Sequence, residues 1–212
     1  MFVRDGLVIN RLLIYISGYR YSLFVDVALM NKKSQGWLST LFSWGRRRQS
    51  REAEKLYAAA IEVARRPIFY QQFGVQDSVD GRFDSLSLVV ILIMRRLKNC
   101  GVGGKEISQQ LFDSMFADMD LSLREMGAGD IGVSKRVRVM AEAFMGRLEA
   151  YVTALDNNDR TALAAALQRN LFRDDKAIDP LTNGAVDYVF ALAKEITNLE
   201  ADSLLAGHLD LS

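Results

Sequence analysis

Apolar residues recur at every third or fourth position from residue 50 to the C-terminus, and this repeat constrains the fold more than any other feature. Residues spaced in this way fall on one face of an α-helix. Only two prolines, Pro67 and Pro180, occur in the 212 residues, so long helices meet few interruptions. We find no alternating strand pattern. The chain is therefore predicted to be all-α, with a single helical bundle over residues 50–212 and an N-terminal extension over residues 1–49.

The segment from Phe83 to Asn99 is predicted to be the central helix of the bundle. Its middle, Leu88 to Met94, is apolar on every side, which indicates a helix that is buried all round. Seven apolar residues in a row also fit a buried strand. Periodic apolar residues on both sides of the run extend the element beyond normal strand length, and they favour the helix. The glycine-rich run 101–104 is predicted to end it.

Several kinds of chemistry are excluded by composition. The chain has one cysteine, Cys100, and one histidine, His208, so a histidine–cysteine metal site or a histidine-based catalytic triad is not expected. The glycines of residues 127–132 spell G-x-G-x-x-G, but they follow a predicted helix rather than a strand, so they do not indicate a dinucleotide site. No catalytic residue, cofactor or metal is predicted.

Four acidic residues lie on or near the helix predicted over residues 105–126, namely Asp113, Asp118, Asp120 and Glu125. The di-metal sites of helical bundles use Glu-x-x-His pairs, which this chain lacks. Asp120 and Arg124 are four residues apart and can form an ion pair. A solvated or salt-bridged face is the simplest interpretation of these acidic residues, and a partner-docking face is the alternative.

Positive charge is concentrated at the N-terminal end. Residues 1–66 contain 12 lysines and arginines and five acidic residues, a formal charge of +7, whereas residues 67–212 carry −6. A basic arm on a mildly acidic body suits an anionic surface, either lipid or RNA. The body alone has no charge pattern that favours nucleic acid, and DNA is not an expected partner.

Residues 1–29 fit neither a membrane span nor a signal peptide. Arg11, Arg20 and Asp26 interrupt the apolar sequence, and a charge near the bilayer centre costs about 2.5–3.5 kcal/mol on insertion scales. Met30 could serve as the initiator methionine of a soluble protein. We interpret residues 1–29 as a start-site artefact or a loosely packed extension, and N-terminal sequencing of protein made from the native locus tests this interpretation.

Residues 34–51, which contain two tryptophans followed by a run of arginines, have the composition of an anchor at the membrane interface. Tryptophan prefers the boundary of a bilayer, and each nearby lysine or arginine adds about 1 kcal/mol of attraction to an anionic leaflet. There are two alternatives: the aromatic residues dock on the body, or the arginines contact RNA or the ribosome. The predicted membrane-surface residues are Trp37, Leu38, Leu41, Phe42, Trp44, Arg46, Arg47 and Arg48.

Longer motifs in the body resemble the ubiquinol–cytochrome c chaperone family, whose members are assembly factors of the cytochrome bc1 complex. The resemblance covers roughly residues 50–155 and is much weaker in the first 49 and the last 50 or so residues. The runs that carry it are Phe69-Tyr70, Phe73-Gly74-Val75, Asp80 to Asp84 (DGRFD), Leu111 to Asp120 (LFDSMFADMD), Leu123 to Asp130 (LREMGAGD), Lys135-Arg136 and Met140 to Phe144.

The resemblance implies an all-α, non-catalytic chaperone that holds newly made cytochrome b at the membrane. We expect a cytoplasmic protein, peripheral to the inner membrane, with an open apolar groove that includes Phe112, Phe116 and Met119. A membrane-peripheral enzyme or a lipid- or quinone-binding protein is the alternative, and it requires a closed pocket. An RNA-binding adaptor is a third, weaker option. The predicted client- or partner-binding residues are Tyr70, Phe73, Asp84, Phe112, Phe116, Asp118, Met119, Asp120, Arg124, Glu125, Asp130 and Lys135.

Overall fold

The computed structural model describes residues 11–16, 19–26, 50–127, 129–173 and 180–211. The predicted membrane-surface segment, Trp37 to Arg48, lies outside the described residues. For residues 11–16, 19–26 and 180–181 only the backbone is described.

The described part of the body is helical, which confirms the all-α prediction. A short π-helical turn, Ile68–Gln72, follows the first helix, and a second one, Gln168–Phe172, follows the fifth. The helices are α1 (Arg51–Ala64), α2 (Val79–Leu97), α3 (Gly101–Glu125), α4 (Asp130–Asp156), α5 (Arg160–Leu167), α6 (Pro180–Asn198) and α7 (Ala201–Leu205).

Two short strands precede the bundle, and the sequence analysis did not predict them. Strand β1 (Arg11–Ile16) pairs antiparallel with β2 (Tyr19–Asp26), with Ile14 opposite Tyr21. Both segments are rich in aromatic and branched apolar residues, which favour strands. The strands lie in the N-terminal extension, so the core of the molecule remains a helical bundle.

Helix α2 is the centre of this bundle, as predicted. Every residue from Leu88 to Met94 is at most 4% exposed, because α2 packs against α1, α3, α4 and α6. The Ser78 side chain caps its N-terminus by accepting a hydrogen bond from the Gly81 amide at 3.2 Å. The apolar run is therefore helical, and the strand alternative is wrong.

Two local predictions are corrected by the structure. The glycine-rich run does not delay the next helix to about Lys105, because α3 begins at Gly101. Gly104 lies so close to the end of α2 that a Cβ atom there would be 2.1 Å from the Leu97 carbonyl oxygen. The sequence also predicts Asn158 as the cap of the helix that follows α4, but the Asp159 side chain caps α5 by accepting from the Ala162 amide at 2.9 Å.

Among the described residues, no helix is both long enough and apolar enough to cross a membrane.

Candidate functional site

The aromatic residues predicted to line a groove lie in the hydrophobic core. Phe112 and Phe116 have ring centroids 4.5 Å apart, and both pack against Phe144. Phe116 also contacts Phe83, with the ring centroids 6.2 Å apart. Phe112, Phe116 and Met119 are all at most 8% exposed. These three side chains therefore do not form an open groove in this conformation, and their contact with a client stays a prediction.

Tyr70 and Phe73 hold the turn after α1 against its neighbours. The Tyr70 hydroxyl lies 3.2 Å from the Ala64 carbonyl oxygen and 3.2 Å from the Ser85 hydroxyl. Phe73 is buried, with its ring centroid 5.7 Å from that of Tyr188. Both residues thus have contacts inside the molecule that account for their positions.

Asp84 is the most deeply buried of the predicted site residues that carry a charge, at 1% exposed. Its carboxylate accepts hydrogen bonds from Arg147 Nη2 and Arg173 Nε, both at 2.7 Å. Arg147 is also buried, and its guanidinium lies over the Phe83 ring, 5.3 Å from the centroid. Burial raises the pKa of Asp84, while the hydrogen bond from Arg173 and the charges of both arginines oppose this rise.

Asp80 continues these ion pairs to the surface. Its carboxylate accepts from Arg136 Nη2 at 2.8 Å and from Arg173 Nη1 at 3.3 Å. The hydrogen bond from Arg136 is the main cause that lowers the pKa of Asp80 below its ordinary value of 3.8. We call these three residues, together with Asp84 and Arg147, the Asp84 network. It joins α2, α4 and the turn that follows α5.

Asp118 connects two helices. It accepts a hydrogen bond from the hydroxyl of Tyr57, on α1, at 2.8 Å. Burial raises the pKa of Tyr57, and the charge of Asp118 raises it further. The tyrosine therefore remains a neutral donor, and the pair fixes α1 against α3.

Asp120, Arg124 and Asp130 hold the connection between α3 and α4. Arg124 Nε donates to Asp120 at 2.6 Å, and Arg124 Nη1 donates to Asp130 across the connection. Gly127 follows α3 with a φ of +84°, in the left-handed region that favours glycine at the end of a helix. The predicted Asp120–Arg124 pair is present in the structure, and it forms part of a bridge between two helices.

Glu125 and Lys135 are exposed near this connection, and exposed apolar side chains accompany them. These apolar residues were not among the predicted site residues. Leu121 and Met126 are each 56% exposed, Ile131 is 83% exposed and Val139 is 54% exposed. We call these four residues the apolar end surface, because they flank the α3–α4 connection.

Helical phase could have revealed part of this surface. Val133, Val137 and Met140 form the buried face of α4. Ile131 and Val139 are out of phase with that face and share the solvent side of the helix. Methionine is usually a core residue, so the sequence predicts that Met126 is buried, and the structure shows that this prediction is wrong.

The described residues offer little for small-molecule chemistry. No group of three or more histidine, cysteine, aspartate or glutamate side chains that could hold a metal ion occurs among them. A cleft beside the Asp84 network has room for about one water molecule, whereas a lipid or quinone pocket holds on the order of 300–1,000 Å³. This cleft gives no support to a lipid- or quinone-binding function. Its lining is Gln76, Gly81, Asp84, Leu171, Phe172 and Arg173.

Comparison with known proteins places the chain among assembly factors. It is 26% identical over 157 residues to the ubiquinol-cytochrome-c reductase complex assembly factor 1 of Xenopus laevis, a match that covers 72% of this chain and 76% of the relative. It also superposes on the crystal structure of the Cbp3 homolog from Brucella abortus with a TM-score of 0.70. That match has 35% sequence identity and covers 82% of this chain and 96% of the other.

The family model described as ubiquinol-cytochrome C chaperone matches residues 71–211. The similarity therefore extends through the last two helices, beyond the limit near residue 155 that the sequence motifs indicated. It includes both the Asp84 network and the apolar end surface. The chain belongs to the ubiquinol–cytochrome c chaperone family.

Proposed function

We propose that this protein is a non-catalytic chaperone that assembles ubiquinol–cytochrome c reductase, with newly made cytochrome b as its client. The observation that carries the proposal is the family match over residues 71–211. The Xenopus relative, which is named as an assembly factor of that complex, supports it.

The geometry of the motif residues agrees with a binding protein. Asp118 accepts from Tyr57 on α1, and Asp120 accepts from Arg124, which also donates to Asp130 on α4, so these contacts hold helices together. Four apolar side chains are left in solvent at one end of the bundle. Large apolar side chains left in solvent on a folded protein are candidates for a site of protein interaction.

The N-terminal arm is proposed to keep the chaperone at the cytoplasmic surface of the inner membrane. The support is its sequence, in which Trp37 and Trp44 are followed by Arg46, Arg47 and Arg48. Flotation with anionic lipid vesicles tests this role. The wild-type chain is expected to float, and the double variant Trp37→Ala, Trp44→Ala is expected to float much less. A ribosome contact by the arginines instead predicts co-sedimentation with ribosomes that falls steeply with salt.

Deletion of the gene tests the proposed function itself. The amount of assembled ubiquinol–cytochrome c reductase, measured on native gels, should fall while the cytochrome b message stays constant. A plasmid that carries the wild-type gene should restore the complex. An unchanged amount of complex in the deletion strain would refute the proposal.

A further inference from the structure

The apolar end surface is unusual because its exposed residues lie on both sides of one helix connection. Leu121 lies near the end of α3 and Met126 directly follows that helix, whereas Ile131 and Val139 belong to the first half of α4. Ile131, Lys135 and Val139 recur at four-residue spacing and follow one side of α4 over about 12 Å. An apolar helix could lie along such a ridge.

The charges around this surface are balanced, and this balance distinguishes an anionic membrane from an uncharged apolar partner. Within the described part of residues 121–142, each arginine is paired with a carboxylate: Arg124 with Asp120 and Asp130, Arg136 with Asp80, and Arg138 with Glu142. The other two charged side chains there, Glu125 and Lys135, have opposite signs. An anionic membrane surface attracts excess positive charge, which this end of the bundle lacks. Balanced charge favours an uncharged apolar partner.

The size of the surface favours a transient partner over a second copy of the chain. Four partly exposed aliphatic side chains offer on the order of a few hundred Å² of apolar area. A stable dimer of standard size buries about 800 Å² on each partner. A client that must later be released needs only the smaller area.

We propose that the apolar end surface is the client-binding site, and that it takes an uncharged apolar helical segment of cytochrome b. Arg124 is a positioning residue in this site, because its bonds to Asp120 and Asp130 fix the ends of α3 and α4 that carry the apolar side chains. The proposal rests on the proposed function, since it assumes that the protein has this client.

The test uses the full chain, with Val102 as the matched control position. Val102 is 73% exposed and lies at the opposite end of α3. A photoreactive amino acid at residue 131 should crosslink to newly made cytochrome b, detected with an antibody, and the same group at residue 102 should not. The double variant Ile131→Glu, Val139→Glu should retain about tenfold less cytochrome b than Val102→Glu, because its two carboxylates would have to be buried against an apolar segment.

Complementation separates the two proposals. If the deletion strain lacks the complex and the Ile131→Glu, Val139→Glu gene restores it fully, the inference is wrong and the proposed function stands. If deletion has no effect, the proposed function fails first. Arg124→Gln should lower client retention several-fold, and Arg124→Lys should recover part of it because one ion pair can re-form.

Other occupants of the surface would give different results. Crosslinks from residue 131 to a second copy of the chain, together with a dimer in light scattering that the double variant abolishes, would overturn the inference. So would a crosslink within the chain to residues 1–49, or vesicle flotation that depends on Ile131.

Discussion

The Asp84 network buries charged side chains, whereas the apolar end surface exposes apolar side chains to solvent. In the network, Asp84 and Arg147 are buried between α2 and α4, with Asp84 only 1% exposed. At the end surface, Ile131 is 83% exposed although it is among the most apolar residues. Buried charges must be paired inside the fold, whereas exposed apolar groups gain stability only when another molecule covers them. The contrast supports a folding role for the first region, and it is the basis on which we propose binding for the second.

The largest effect on stability is expected from Arg147→Ala, which removes one partner of a buried pair. Because Asp84 would keep its charge with Arg173 as its remaining partner, the free energy of unfolding should fall by about 3 kcal/mol. Urea denaturation at pH 7 measures this. Arg138→Ala is the control on the same helix, since its exposed pair with Glu142 contributes only about 0.5 kcal/mol. Equal losses in the two variants would contradict the role given to the network.

A smaller loss is expected when Tyr57 is changed to Phe. The ring keeps its packing between α1 and α3, but Asp118 loses a hydrogen bond of 2.8 Å. A hydrogen bond to a partly exposed carboxylate contributes about 1 kcal/mol. A denaturation midpoint equal to that of the wild type would show that this pair does not stabilise the fold.

Acid should weaken the surface part of the Asp84 network. The pKa of Asp80 is below its ordinary value of 3.8, chiefly because Arg136 donates a hydrogen bond to it. Its stabilising contribution is therefore complete above the ordinary value and is lost as the pH falls through the lowered one. Wild type should be more stable than Asp80→Asn at pH 7, and the difference should shrink below pH 4.

Asp84 is present in both the wild type and Asp80→Asn; burial raises its pKa, and the charge of Asp80 adds to this rise. A stability difference that stayed constant from pH 7 to pH 2 would contradict the ion pair.

The smallest effect on stability is expected at the apolar end surface. Ile131→Glu places a charge where the native side chain is already in solvent, so the free energy of unfolding should change by no more than about 0.5 kcal/mol. Thermal unfolding followed by circular dichroism measures this. A loss of several kcal/mol would mean that Ile131 supports the core.

Different parts of the molecule also differ in how far the sequence could predict them. The apolar repeat of α2 predicts a central buried helix, because seven consecutive apolar residues leave no polar face. The sequence could not show whether Phe112 and Phe116 are buried in the core or line an open groove, since an apolar helix face packs equally well on the core or on a client. The partner of Asp84 lies 63 residues away in Arg147, and helical spacing carries no information about such distant pairs. Ile131 was not predicted because apolar periodicity marks the buried face of α4, and Ile131 lies off that face.

The strands in the extension were missed for a different reason. Residues 1–29 were interpreted as a start-site artefact or a loosely packed extension, with no secondary structure assigned to them. The aromatic and branched residues of Tyr19–Asp26 carry a strand propensity that indicates β2.

One paired measurement tests the division of roles most directly: the cytochrome b that co-purifies per folded chaperone, together with the melting temperature, for Ile131→Glu and Asp80→Asn. The account predicts that Ile131→Glu melts like the wild type and retains less cytochrome b, while Asp80→Asn melts earlier and retains a normal amount. If the variant with reduced stability loses the client and Ile131→Glu keeps it, the assignment of binding to the apolar end surface is wrong.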